Sequence, residues 1–290
     1  MPTRRQGIQL AYPFEEKRLA KWNPPYIVQP KLDGDRCWNQ IDAINQAKPI
    51  CDLITSEGNI FQSVPHIVSE LESSKLAAIP LDGELYSHEL YIEGGHELIF
   101  SIVSRTVNLH PRHHEMEFHV FDYKNANQDQ ATRLNFLHSI ESDFPLHVKL
   151  VPIRIAYTLD DVKHVYDEFV KMKYEGIIVR NIEAFYVERR STFMMKFKPK
   201  RSDTYKIIGW NEEIAIDGEP KGRIGSLILT SGFGDVFNVG AGLDADQKAF
   251  LWDMRDALAG KNATVFYQHL TNRQIPKGSF DIIIPELGLT

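Results

Sequence analysis

Near Arg201 the chain changes character, and that change limits the folds open to it more than any other feature. Beyond it, residues 205–210, 226–230, 235–239, 263–269 and 280–284 are short runs rich in β-branched and aromatic residues, separated by Gly, Pro and Asn turns. One helix is predicted among them. Asp244 is its N-cap, Gln247 closes a capping box, Leu251, Met254 and Leu258 share one face, and Gly260 ends it. Five short strands with one helix suit a small β-barrel of the OB-fold type, which often binds nucleic acid, although an irregular β-sandwich would read alike.

Before Arg201 the pattern is mixed α+β. Residues 26–30, 79–86, 118–123 and 176–180 read as strands. Residues 65–75 read as a helix with Pro65 in its first turn. Residues 158–173 read as another, with Thr158 as N-cap and Val162, Val165, Tyr166, Phe169 and Val170 on one face. At 290 residues the chain can carry two cores, so the expected domains are 1–200 and 201–290.

No apolar run of about 18 residues predicts a membrane span. Arg4 and Arg5 are not followed by the apolar stretch of a secretory leader, so a cytoplasmic setting is expected. Cys37 and Cys51 are too few for a four-thiolate zinc site and read as reduced thiols. The net charge of -6 argues against a surface that binds nucleic acid throughout, but leaves room for a local basic stripe.

KLDGDR, residues 31–36, places Lys31 directly after a strand and before an Asp-Gly turn, at a sheet rim where its amine can reach a ligand. A lysine acts as a nucleophile only as the free amine, so the role calls for a pKa lowered by burial or by nearby positive charge. In LDGELY, residues 81–86, Asp82, Glu84 and Tyr86 fall on one face by the strand period of two. Glu175 precedes the apolar run of YEGIIVR and suits a hard cation such as Mg2+; Arg180 closes that run. In STFMMKFKPK, Phe193, Met195 and Phe197 share one face, while Met194, Lys196 and Lys198 share the other, a pair of lysines suited to phosphates.

Taken in order, KLDGDR, LDGELY, FHVFDY, YEGIIVR and MMKFKPK resemble the successive motifs of the covalent nucleotidyltransferases, and within them the small virus-type ATP-dependent DNA ligases. The resemblance covers nearly the whole chain and extends to GAGLDADQKAFLWD, residues 240–253, which is similar to a stretch of the ligase OB domain. It implies a nucleotidyltransferase (adenylation) domain followed by an OB-fold domain, with ATP and Mg2+ or Mn2+ as cofactors. Lys31 then takes AMP from ATP, passes it to the 5′-phosphate of a nicked duplex DNA, and the 3′-hydroxyl expels it.

Residue by residue, the resemblance gives Arg36 to the ribose and the 5′-phosphate end, Glu84 to the ribose, Phe121 to stacking on adenine and Glu175, with Glu84, to metal. Lys196 and Lys198 go to the α-phosphate, Arg190 to a phosphate, and Gln29 to the adenine edge. Arg36, Arg180, Arg189, Arg190, Lys200 and Arg201 are the expected nucleic-acid contacts. The stretch 189–206 carries seven basic residues (Arg189, Arg190, Lys196, Lys198, Lys200, Arg201, Lys206) and one acid, Asp203, the local stripe that the net charge had left open.

Two departures stand out. Where the family shows a Ser-Arg pair this chain has Thr55 and Ser56, and the arginine of the C-terminal motif is replaced by Lys277 or Arg273. HPRHH, residues 110–114, lacks acidic or cysteine partners at metal-ligand spacing and reads as a polar loop or a nucleic-acid contact. An RNA ligase, an mRNA-capping guanylyltransferase and a non-catalytic OB-type nucleic-acid-binding protein are the rival readings. With 30 residues before Lys31, a monomer that grips DNA with two domains alone is expected.

Overall fold

A computed structural model of the protein describes residues 7–42, 50–199, 201–232, 234–240, 242–267, 269–270, 275–277 and 281–288. The chain divides into two compact units, Met1–Phe197 and Lys198–Thr290. The first is mixed α/β. Its elements are β1 (Leu10–Pro13), α1 (Glu16–Leu19), β2 (Tyr26–Lys31), β3 (Asp35–Asp42), β4 (Ile50–Thr55), α2 (Pro65–Glu72), β5 (Leu81–Tyr86), α3 (His88–Val103), β6 (Glu117–Tyr123), α4 (Gln130–Ser139), β7 (Val148–Leu150), β8 (Arg154–Ala156), α5 (Leu159–Lys171), β9 (Gly176–Asn181) and β10 (Arg190–Phe197).

These strands form two five-stranded sheets, in the orders β1-β10-β9-β2-β8 and β4-β3-β5-β6-β7. In the first, Val28, Val179 and Met195 are paired across β2, β9 and β10, so their side chains share a face. That face is buried with Val162, Val165 and Phe169 of α5. α5 starts where its sequence predicts, because the Thr158 hydroxyl and the Asp161 carboxylate satisfy each other's backbone N–H groups in a capping box. The second sheet buries Leu53, Leu85 and Phe118 with Ile67 and Leu71 of α2, Leu90 and Ile99 of α3, and Leu134 and Leu137 of α4. Cys37 pairs with Thr55 and Cys51 with Ile41 across β3 and β4, so both thiols are free and buried.

Three helices escaped the sequence reading, the four-residue α1 and the longer α3 and α4. α3 contains Gly94 and Gly95, and Gly95 breaks its helical path at φ 64, a conformation that glycine adopts without penalty. α4 is capped by Asp129, whose carboxylate accepts from Thr132 N–H at 2.8 Å.

The second unit holds β11 (Arg201–Ile214), β12 (Pro220–Thr230), β13 (Val236–Val239), α6 (Ala245–Asp253), β14 (Asn262–Tyr267), β15 (His269–Leu270), β16 (Pro276–Lys277) and β17 (Asp281–Ile283). Five strands lie in the order β13-β12-β11-β14-β17, and among the described residues this sheet is open rather than the closed barrel expected from the pattern. β11 and β12 run well past their apolar stretches, because a hairpin ladder needs only backbone partners and the charged ends are solvated. α6 carries the expected Asp244–Gln247 capping box but ends at Asp253. A 3-10 turn, Arg255–Ala257, then brings Leu258 into the core beside Ile207, Leu229 and Val265, which leaves Met254 at the surface.

Candidate active site

The site begins with strand register. Lys31 stands opposite Gly176, Gln29 opposite Ile178 and Ile27 opposite Arg180, while Ile178 is also opposite Lys196 on β10. Directly opposed residues point the same way. Gln29, Lys31, Arg180 and Lys196 therefore project from one face of the sheet, the reverse of the face packed on α5. In the other sheet Arg36 stands opposite Glu84.

At one end, Lys31 Nζ is bonded to the carboxylate of Glu175 and donates to the Leu32 carbonyl at 3.0 Å. Glu84 Oε1 accepts from Gly34 N–H at 2.7 Å, which uses the Asp-Gly turn as a carboxylate rest. Gly34 has no room for a side chain, since a Cβ there would lie 2.2 Å from the Leu85 carbonyl oxygen. Burial alone would favour the free amine of Lys31, but the Glu175, Glu84 and Asp33 carboxylates outweigh it and hold the pKa above its ordinary value. The lowered pKa expected for a nucleophile is thus not the resting state. Burial pushes Glu84 up to about 7, against the pull of Lys31 and Arg36.

At the other end, Phe121 is buried on β6 under two guanidiniums, Arg36 at 4.5 Å and Arg180 at 5.4 Å from its ring centre. Arg36 forks onto Asp82 with bonds of 2.8 and 2.7 Å, and the Tyr186 hydroxyl donates to the same carboxylate at 2.7 Å. Burial works against the Arg36 charge, and Asp82 more than offsets it, so its pKa is raised. Arg180 is 3% exposed. It donates to Gln29 Oε1 at 2.7 Å, to Asp122 Oδ2 at 3.0 Å and to Gln130 Oε1 at 3.2 Å. Burial lowers the Arg180 pKa, with Arg36 and Arg133 adding to the effect. Gln29, 1% exposed, uses its Nε2 to donate to the Phe121 carbonyl at 3.2 Å.

One expectation is corrected here. Arg180 cannot meet DNA, because it is buried and its bonds go inward to Asp122, Gln130 and Gln29. Arg36 is held in a bidentate pair with Asp82, with its side chain 21% exposed. Asp82, grouped with Glu84 by the strand period, is 1% exposed and serves Arg36 and Tyr186.

The remaining basic candidates are spread out. Arg190 is exposed at the start of β10 and donates to the Ala11 carbonyl at 2.6 Å. Arg189 lines an open pocket of about 460 Å³ with Lys124, Ala126, Tyr186, Val187 and Glu188. Lys198 and Arg201 belong to the second unit, where Arg201 is exposed opposite Tyr267. Lys200 and Arg273 lie outside the described residues, and Lys277 is described only as backbone of β16. Ser56, where the family arginine is missing, is buried and donates to Glu57 at 2.7 Å. His113 packs edge-on against His66, which packs edge-on against His147, so this part of HPRHH joins a contact cluster rather than a simple solvated loop.

Arg133, Asp122, Gln130 and Tyr186 were missed by sequence reasoning. Asp122 lay inside the FHVFDY motif, but nothing local marks Arg133, 11 residues on, or Tyr186, 104 residues from Asp82. Gln130 keeps its Oε1 toward two guanidiniums although its Nε2 has no partner, a cost of about 1–3 kcal/mol.

Among the described residues no three carboxyl, imidazole or thiol groups converge closely enough to hold a metal by themselves. The carboxyl groups gathered around Lys31 still fit Mg2+, which takes one or two carboxylates and completes its shell with water and phosphate oxygens.

A lysine at a sheet rim among carboxylates, beside a buried aromatic roofed by arginines, defines a nucleotidyltransferase-type centre. The family model described as ATP dependent DNA ligase domain matches residues 8–198, and the chain belongs to that family. It is 25% identical over 286 residues to the DNA ligase of Enterobacteria phage T4, covering 82% of this chain and 57% of that relative's length. A DNA ligase of Haemophilus influenzae is 21% identical over 274 residues, covering 93% of this chain and 89% of the relative. A solved structure described as a structure-function analysis of Lig E DNA ligases, on DNA binding with a minimal scaffold, shares the fold at a TM-score of 0.74 and 22% identity, covering 95% of this chain and 97% of that one. No helix among the described residues is long and apolar enough to cross a membrane.

Proposed function

We propose that this protein is an ATP-dependent DNA ligase that seals nicks in duplex DNA through a lysyl-AMP on Lys31. The observation that carries the reading is the convergence of Lys31, Lys196 and Gln29 on one sheet face, with Glu175 bonded to Lys31 and Glu84 acting on it. In the first step the Lys31 amine attacks the α-phosphorus of ATP. The N–P bond forms, the bond to pyrophosphate breaks, and the lysine proton departs. In the second, the 5′-phosphate at the nick takes the AMP and frees Lys31. In the third, the 3′-hydroxyl attacks that phosphate and AMP leaves.

Each protein group has work that suits its surroundings. Lys196 neutralises charge on the α-phosphate, and Lys198 is assigned the same role by its place in the motif. Phe121 stacks on adenine, Glu84 holds the ribose, and Gln29 reads the base edge. Glu175 holds the Lys31 ammonium in place until nucleotide arrives. Mg2+ or Mn2+, bound through Glu175 and Glu84, would supply the positive charge that loosens the carboxylates' hold on the lysine proton. Arg189, Arg190 and Arg201 are the candidates to touch DNA. The open five-stranded sheet of the second unit, with its single capped helix, supports reading that unit as an OB-type domain. A cytoplasmic monomer is the form proposed.

Incubation with α-labelled ATP or GTP and Mg2+, followed by nicked duplex DNA, tests the whole scheme. ATP should label the protein, and the nick should discharge the label and become sealed. Label from GTP alone would point to a capping enzyme, and discharge on RNA ends alone to an RNA ligase. Either result refutes the proposal.

A further inference from the structure

Arg133 on α4 is fully buried, and each of its five N–H groups has an acceptor. Nε donates to Asp122 Oδ1 at 2.8 Å and Nη2 to Asp122 Oδ2 at 3.1 Å. Nη2 also reaches Gln130 Oε1 at 2.9 Å, and Nη1 reaches the carbonyls of Gln128 at 2.6 Å and Ala184 at 3.1 Å. Asp122 and Gln130 in turn are two of the three acceptors of Arg180, and the third is Gln29 Oε1.

A glutamine amide can turn over at little steric cost, so its partners decide which end faces where. Arg180 can only donate, which draws Oε1 toward it. The Phe121 carbonyl can only accept, which draws Nε2 toward it. With both ends assigned, the second N–H of Nε2 is the donor that Gln29 retains. Gln29 projects from the Lys31 face of β2, two residues before the nucleophile. Adenine offers an acceptor at N1, where guanine carries an N–H that would oppose a donor.

We propose that Arg133 is a positioning residue for base selection: through Asp122, Gln130 and Arg180 it locks Gln29 with a donor toward the base, and so favours adenine over guanine. The inference rests on the reading of this pocket as an ATP site. Arg133 itself touches no nucleotide.

The test is single-turnover labelling of Lys31 with α-labelled ATP and with α-labelled GTP, using the full chain and the variants Arg133→Lys and Gln130→Met. Gln130→Met keeps the Arg133–Asp122 pair and removes one acceptor from Arg180 and one from Arg133, so it covers the case in which Arg133→Lys does not fold. Arg133→Lys should cut the preference for ATP over GTP about tenfold or more, chiefly through KM for ATP, and Gln130→Met should do the same to a smaller degree. Equal losses with both nucleotides, in a variant whose melting curve shows it folded, would mean a purely structural role and overturn the inference. Wild-type protein that takes no label from ATP would defeat the ATP-site reading first and this inference with it; wild-type labelling with an unmoved ratio in the variants defeats this inference alone.

Discussion

The two ends of the candidate site are built on opposite principles. Around Lys31 one ammonium faces three carboxyl groups, and the contact is partly open, with side chains 19% and 11% exposed for Lys31 and Glu175. Around Phe121 three guanidiniums (Arg36, Arg133, Arg180) face two carboxylates (Asp82, Asp122), and the Arg133–Asp122 pair is 0% exposed on both sides. An ion pair near water can be exchanged for another partner at small cost, whereas one sealed from water is costly to break. The acidic end is therefore suited to chemistry, in which bonds to Lys31 form and break. The basic end is suited to holding a shape.

The sharpest break of that contrast is Lys31→Ala. It should reduce labelling by ATP at least about a thousandfold while leaving the fold intact, since the lysine reaches the rim of the sheet. Labelling and thermal melting of the same preparation give both readouts, and persistent labelling removes Lys31 from the mechanism.

Asp122→Ala should do the reverse. It strands Arg133 and Arg180 without their shared carboxylate, and the loss of one partner of a buried pair costs about 3–5 kcal/mol. Denaturant unfolding should show this, against about 1 kcal/mol or less for Glu175→Ala. Similar losses at the two positions would erase the distinction between the ends.

How much of this was legible follows the same division. Lys31, Glu84, Glu175 and Lys196 sit in local motifs, where a strand, a turn and the period of two already say which way a side chain points. Phe121 and Asp122 are adjacent in FHVFDY, yet the aromatic was singled out and its neighbour passed over. The buried arginine network was hidden because its partners are far apart in sequence: Arg180 meets Gln29 across 151 residues, and Tyr186 meets Asp82 across 104. Charge in a sequence reads as surface by default, and nothing local in YEGIIVR marks Arg180, expected at the nucleic acid, as buried. The two longer helices missed, α3 and α4, fail for local reasons, a Gly-Gly break in one and a weakly patterned apolar face in the other.

Glu84→Gln sharpens the comparison through pH. The folded-state pKa of Glu84, about 7, lies above its ordinary 4.5. Ionising it therefore costs the folded state stability, a cost absent below pH 4.5 and complete once pH has risen through 7. The amide removes that cost, so at pH 8 Glu84→Gln should gain about 1–3 kcal/mol over the parent, with a lower labelling rate. Melting curves at pH 8 and pH 4 decide it. A gain equal at both would show that the carboxylate charge is not what strains this end.

The smallest effect expected is also the one most specific to the acidic end. Glu175→Gln keeps the size of the side chain and removes the carboxylate bonded to Lys31. That charge holds the lysine pKa up, together with Glu84 and Asp33, so its loss moves the pKa down. The rate of labelling rises with pH as the free amine forms, and in Glu175→Gln that rise should begin at lower pH than in the parent. The position of the limb can be read even if its height falls, and a lost metal contact would move it the opposite way, to higher pH, because a nearby cation favours the free amine. A single-turnover pH–rate profile for the two proteins separates the effects. A limb that stays in place would mean that nucleotide binding had already parted Lys31 from Glu175, and that the contrast between the two ends belongs to the resting enzyme alone.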